Sequence, residues 1–149
     1  MKSASVFTIF VLFSLLAPVI AGAQDGKGLS QEEPPYYIYS LYFGGGSYFI
    51  DGDQINGLNQ WLEKLPLTGD RHEISVHSHT DNIGSVEYNA RLARMRSLNT
   101  IDKLSDYGID PAMIAIEDFG ELNPVYSNDN WEGRIKNRRV DIIIRPLAL

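Results

Sequence analysis

The stretch from Ser78 to Ser97, SHTDNIGSVEYNARLARMRS, does most to limit what this chain can become. A strand-like run, Glu73 to Ser78 (EISVHS), leads into it, and a polar turn at Asp81-Asn82-Ile83-Gly84 breaks that run. A long helix follows from about Val86, with Ser85 as the expected N-cap and Gly108 as the expected stop. Its apolar stripe, Tyr88, Leu92, Met95, Leu98, Ile101 and Leu104, is expected to face the core. The flanking segments then read as the scaffold that holds this turn and helix in place.

That scaffold begins with Tyr36 to Phe43 (YYIYSLYF), an aromatic and β-branched run expected to form a strand covered on both faces. Gly44-Gly45-Gly46-Ser47 breaks it, and no Lys follows the glycines to make a phosphate-cradling loop. Asp51 or Asp53 is expected to cap a helix whose Ile55, Leu58, Trp61, Leu62 and Leu65 share one face, with Pro66 as its end. Asp110-Pro111 opens a turn into a third strand, Met113 to Phe119, and Val140 to Arg145 (VDIIIR) forms the last. Between them, Gly120 to Arg138 reads as a long irregular loop, and a loop of that length in a small domain usually binds something. The order β-α-β-α-β-loop-β gives an α/β (α+β) class with two helices packed on one sheet.

Not all of the chain belongs to that domain. Lys2, the apolar run Val6 to Ile20 and the small residues Ala21-Gly22-Ala23 have the layout of a secretory signal peptide over residues 1–23. The apolar run falls short of the about 20 residues that span a bilayer. Residues 24–35 read as a flexible spacer, and residues 36–149 as the domain. With no cysteine anywhere, the chain has neither a lipid-bearing residue after Ala23 nor disulfides, so stability outside the cytoplasm must come from packing. The net charge of -6 argues against nucleic acid as a partner, since that demands a basic surface.

Two chemistries suggest themselves in the central stretch. His77-Ser78-His79-Thr80-Asp81 has the HxHxD start of a metal-dependent hydrolase, in which His77, His79 and Asp81 would ligate zinc. The pattern stops at Asn82, and with three histidines in all the chain cannot furnish a two-metal site. The reading therefore calls for no metal, no cofactor and no catalytic residue. The second chemistry is ionic recognition. Asn89 and Arg96 lie two helical turns apart on one face with small Ala93 between them, whereas Arg91 and Arg94 point elsewhere. Asp81 sits at the carboxyl end of a strand, where α/β sheets place ligands. Asp81 and Arg96 either pair with each other or, held apart, complement a zwitterion.

These residues carry a resemblance. SHTDNIGSVEYNARLARMRS, Gly120-Glu121-x-x-Pro124 and Glu132-Gly133-Arg134-x-x-Asn137-Arg138-Arg139-Val140 resemble, in order, the blocks of the OmpA-like (OmpA/MotB C-terminal) domain family. The resemblance implies a β-α-β-α-β-β sandwich that binds peptidoglycan non-covalently through the diaminopimelate of its stem peptide. It implies that Asp81 grips the ammonium and Arg96 the carboxylate, with Asn89 shaping the pocket and Arg139 close to it. It also implies a periplasmic, wall-associated setting at or near the outer membrane, with peptidoglycan and other envelope proteins as partners. Ser78 stands where the family pattern has Gly, and Ser97 where it has Ala. A protein-docking role for the Gly120 to Arg138 loop, with Trp131 exposed, is the remaining alternative.

Overall fold

The computed structural model describes residues 36–67 and 72–147. The expected signal peptide and spacer lie outside the described residues. Strand β1 (Tyr37–Tyr42) pairs antiparallel with β4 (Arg139–Pro146), β4 pairs antiparallel with β2 (His72–His79), and β2 pairs parallel with β3 (Ile114–Gly120). The sheet is mixed, with order β1-β4-β2-β3. Its central pair is β4 and β2, so the strand that carries the HTD turn is held on both sides.

Alternation along each strand sends one row of side chains to the core. Leu41, Val76, Val140, Ile142 and Ile144 are fully buried and meet Leu58 and Leu62 of helix α1 (Gly52–Glu63). Burying such a side chain stabilises the fold by about 1.5–3 kcal/mol. Asp51 caps α1 by accepting from the Gln54 amide, and Ile55, Trp61 and Leu65 pack at the core margin as the spacing predicts. On β1 only one face is covered. Ile38 and Tyr42 are exposed, because β1 is an edge strand and α1 lies on one side of it.

Helix α2 (Val86–Tyr107) begins at Ser85, which accepts from the Tyr88 amide, and ends at Gly108 in a left-handed conformation. Its ends match expectation, and its buried face does so in part. Leu92 and Leu104 are buried and Ile101 packs on the core, but Tyr88, Met95 and Leu98 are 41%, 40% and 43% exposed, while the helix also buries Asn89, Ala93, Arg96, Ser97 and Thr100. The buried face is polar toward the N-terminal half of α2, where the sheet offers Ser78 and Asp118, and apolar at Leu104, which joins Ile74, Val76 and Ile114 in the core. Ser78 of β2 and Ser97 of α2 both donate to one carboxylate oxygen of Asp118 on β3, at 2.8 and 2.5 Å. The two serines that depart from the family pattern thus converge on a single acceptor, and Arg94 reaches its other oxygen at 3.3 Å.

The segment expected to be an irregular loop contains a third helix, α3 (Trp131–Asn137). Asn130 caps it by accepting from the Gly133 amide at 2.7 Å. Gly133 is there for closeness, since a Cβ on it would lie 1.9 Å from the Ser127 carbonyl oxygen. Buried Asn137 then ties the loop down, exchanging hydrogen bonds with both the amide and the carbonyl of Tyr126. A short 3-10 turn, Pro111–Met113, precedes β3.

Candidate functional site

Strand β2 does not end evenly against β3. Ser78 pairs with Asp118 but His79 pairs with Gly120, so Phe119 is the extra residue of a bulge. The bulge turns the chain out of the sheet, and Thr80 is held there by its amide on the Gly120 carbonyl at 2.9 Å. Asp81 follows at the carboxyl end of the strand, 6% exposed, with one carboxylate oxygen accepting from the Ile83 amide at 3.2 Å. Gly84 completes the turn at φ +116, which a side chain rarely adopts, and a Cβ there would also meet the Tyr88 ring at 2.8 Å.

Arg96 lies beneath this turn and is 0% exposed. Its Nη1 donates to the His79 carbonyl at 2.8 Å, its Nε to Ser47 at 2.9 Å and its Nη2 to Gly44 at 3.1 Å. The guanidinium carbon stands 4.9 Å from the Phe43 ring centroid. One buried cation therefore ties the HTD strand end to the Gly44–Ser47 loop. Burial pushes its pKa down to about 10; Asp81 opposes that shift and Arg138 adds to it. A guanidinium has five N–H donors, so three are committed to backbone.

Asp81 does meet a cation, but a different one. Arg138, the residue that closes α3, places Nη1 3.5 Å from the second Asp81 oxygen and lies against Gly45. At that separation the ion pair is loose. Arg96 and Arg138 thus both lie near Asp81, and the Glu121 carboxylate, joined to Asn89, brings a second negative charge to the same turn. Sequence reasoning missed Arg138. The signal was present in Asn137-Arg138-Arg139, but only the end of α3 decides which of the two arginines turns toward Asp81.

Arg139 joins a separate group on the sheet face turned away from the core. Its Nε donates to both Asp141 oxygens at 3.0 and 3.2 Å, and it lies 5.8 Å from the Tyr126 ring centroid. His79 stacks on Phe119 at 5.1 Å and faces Asp141 at 3.9 Å, while His77 meets the Phe119 edge. Burial first, and Arg139 second, push the His79 imidazole down to about 4. His77 and His79 therefore sit with Asp141 on this face while Asp81 is with Arg138, so the HxHxD residues do not converge. Among the described residues no three His, Asp or Glu side chains are grouped to hold a metal.

Asn89 is fully buried and donates through Nδ2 to the Glu121 carboxylate. Its Oδ1 has no partner. Buried side-chain atoms without a hydrogen bond number four among the described residues: His79 Nδ1, Thr80 Oγ1, Asn89 Oδ1 and Arg138 Nε. Three of the four border the Asp81 turn. Native proteins leave few such groups, so their concentration here makes the Asp81 turn the candidate site. They are an acceptor (Asn89), a donor (Arg138) and a hydroxyl that is either (Thr80), close to the Asp81 and Glu121 carboxylates and to the part-buried Arg138 guanidinium. That set is complementary to a ligand carrying both an ammonium and a carboxylate.

Residues 42–138 match the OmpA family. The chain is 43% identical over 75 residues to outer membrane protein A of Bordetella avium, covering 50% of this chain and 39% of that protein. It is 37% identical over 87 residues to the peptidoglycan-binding protein ArfA of Mycobacterium tuberculosis, covering 58% and 26%. The chain thus spans well under half the length of these curated relatives. Among solved structures, the C-terminal domain of Helicobacter pylori MotB superposes with TM-score 0.62 at 29% identity, covering 74% of this chain and 86% of that one.

Proposed function

The chain belongs to the OmpA family, and on that premise we propose that it binds peptidoglycan non-covalently in the periplasm, through the zwitterionic end of diaminopimelate in the stem peptide. The observation that carries this reading is the loose Asp81–Arg138 pair, ringed by the unpartnered Thr80, Asn89 and Arg138 atoms. In the proposed complex the ligand ammonium donates to Asp81 and Asn89 Oδ1. Its carboxylate accepts from Arg138, replacing the 3.5 Å pair with tighter charge-assisted bonds. Arg96 contributes from below, adding positive charge under the carboxylate and fixing the Gly44–Ser47 wall. The role differs from a direct fork onto the ligand because its donors already hold three carbonyls. Arg139 is taken up by Asp141 of β4 and the Lys136 carbonyl of α3, so the proposed complex does not use it.

The charged groups at the Asp81 turn have the complementarity of a clamp, which favours this reading. The similarity to a peptidoglycan-binding relative supports the ligand class.

The test is co-sedimentation with purified diaminopimelate-type sacculi. The parent domain is expected to pellet with the wall and Asp81→Ala to lose at least about tenfold in affinity, the equivalent of one charge-assisted contact. An Asp81→Ala variant that pellets as well as the parent would remove Asp81 from the site.

A further inference from the structure

The two edges of the sheet are finished differently. At one, β3 carries exposed Glu117, Asp118 turned toward α2 and the Phe119 bulge, three devices that keep a foreign strand from pairing. At the other, β1 reads YIYSLY, with no charge, proline, glycine or bulge. Tyr36, Ile38 and Tyr42 are exposed along it. One side of its backbone faces β4, and the next amide, of Phe43, continues that side by donating to the Arg138 carbonyl at 2.8 Å. The Tyr42 amide points the other way, to Gln54 Oε1 at 2.8 Å. Strand alternation then turns the amides and carbonyls of Ile38 and Ser40 outward as well. Gln54 closes the edge at Tyr42, and a bond from its Nε2 to Asp51 at 3.2 Å holds it there.

We propose that β1 is the interface for a second copy of this chain, the two β1 strands pairing antiparallel across a two-fold axis so that both sheets become one. The outward groups select the register. With Tyr39 opposite Tyr39 of the second copy, Ile38 of each chain exchanges both backbone bonds with Ser40 of the other. The capped Tyr42 amide marks where that pairing stops. The same register sets exposed Tyr36 of one copy beside exposed Tyr42 of the other, an aromatic cross-strand pair. No like charges meet, because β1 carries none. The chain's own residues 24–33, QDGKGLSQEE, are a poor alternative occupant of this edge. They hold no β-branched or aromatic residue, and Pro34-Pro35 lacks the chemistry of a tight hairpin turn. Two short edge strands make less than a standard interface, so the dimer is expected to be reversible, half-formed at about 10–100 μM. It would carry two Asp81 turns, which on a repeating polymer raises avidity, but the pairing itself does not depend on what Asp81 binds.

Sedimentation velocity of the full chain across about 1–500 μM reads the association. The parent is expected to shift from monomer to dimer over that range. Ile38→Lys, which puts a charge on an exposed edge position, is expected to stay monomeric with an unchanged melting temperature. Register is read by cross-linking, since the chain has no cysteine of its own. Tyr36→Cys mixed with Tyr42→Cys is expected to form a disulfide dimer under mild oxidation, because the facing Cα atoms would stand about 5.5 Å apart. Each variant alone is expected not to cross-link, as like positions lie about 20 Å apart in this register. A parent that stays monomeric throughout overturns the interface. A dimer that persists in Ile38→Lys puts the contact elsewhere and overturns it too, and so does a mixture that cross-links no faster than either variant alone. Sacculus binding by the monomeric variant is a separate readout, so this inference and the wall-binding reading fail independently.

Discussion

In the proposed complex, Arg96 and Arg138 divide between them the work that spacing along one helix assigned to a single arginine. Arg96 is buried with three backbone acceptors, so removing it leaves three carbonyls without their donor. Arg96→Ala is expected to lower stability by about 3–5 kcal/mol, read from urea unfolding, with any binding loss following from the loosened Gly44–Ser47 loop. Arg138 is anchored only by a loose pair, so Arg138→Ala is expected to change stability by less than about 1 kcal/mol while weakening wall binding. The reverse pattern, a stable Arg96→Ala and an unfolded Arg138→Ala, would exchange their roles. His79 supplies the pH dependence. The unfolded chain takes up a proton near pH 6.5 that the folded chain resists until about pH 4, so ν is larger in the unfolded state across that window. Stability attributable to His79 is therefore fully present above about pH 6.5 and is lost as pH falls toward 4, by up to about 3 kcal/mol. Unfolding midpoints of parent and His79→Gln across that window check the sign. A parent that gains stability on acidification there would contradict it.

Among the elements, the two helices that were legible in the sequence were legible by their ends. Asp51, Ser85 and Gly108 cap as their residue types require, and the apolar face of α1 packs where its spacing puts it. The face of α2 was legible only at Leu92, Ile101 and Leu104, because hydrophobic periodicity assumes an apolar floor and the N-terminal half of this helix lies over Ser78 and Asp118. Helix α3 was hidden for a different reason. It is seven residues long, with a glycine near its start and few apolar residues, so no period could emerge. Its stability is tertiary, through the Asn130 cap, the Asn137 clamp on Tyr126 and the approach of Gly133 to Ser127. Gly133→Ala is expected to destabilise the domain by more than about 1 kcal/mol, although alanine is the better helix former. A melting temperature equal to or above the parent's would show that the contact is not required.

At the scale of the molecule, strand order and the position of the turn follow from one constraint. A parallel β2–β3 pair needs a crossover, α2 supplies it, and the turn that starts the crossover is where Asp81 must sit. Asp81 and Asn89 were placed beside the turn by strand end and helix position alone, whereas the proposed ligand came from the family resemblance. Arg138 could not be so placed, because a residue 57 positions away in sequence reaches Asp81 only through the fold. In the proposed reading a single charged pair binds weakly by itself, and a repeating polymer such as peptidoglycan compensates through multivalency. The measurement closest to the central claim compares two soluble stem peptides that differ only in the third residue, diaminopimelate or lysine. Lysine keeps the ammonium and lacks the distal carboxylate. The parent is expected to prefer the diaminopimelate peptide by at least about tenfold, Arg138→Ala to lose that preference, and Asp81→Ala to weaken both ligands. Equal affinity of the parent for the two peptides would contradict the zwitterion clamp.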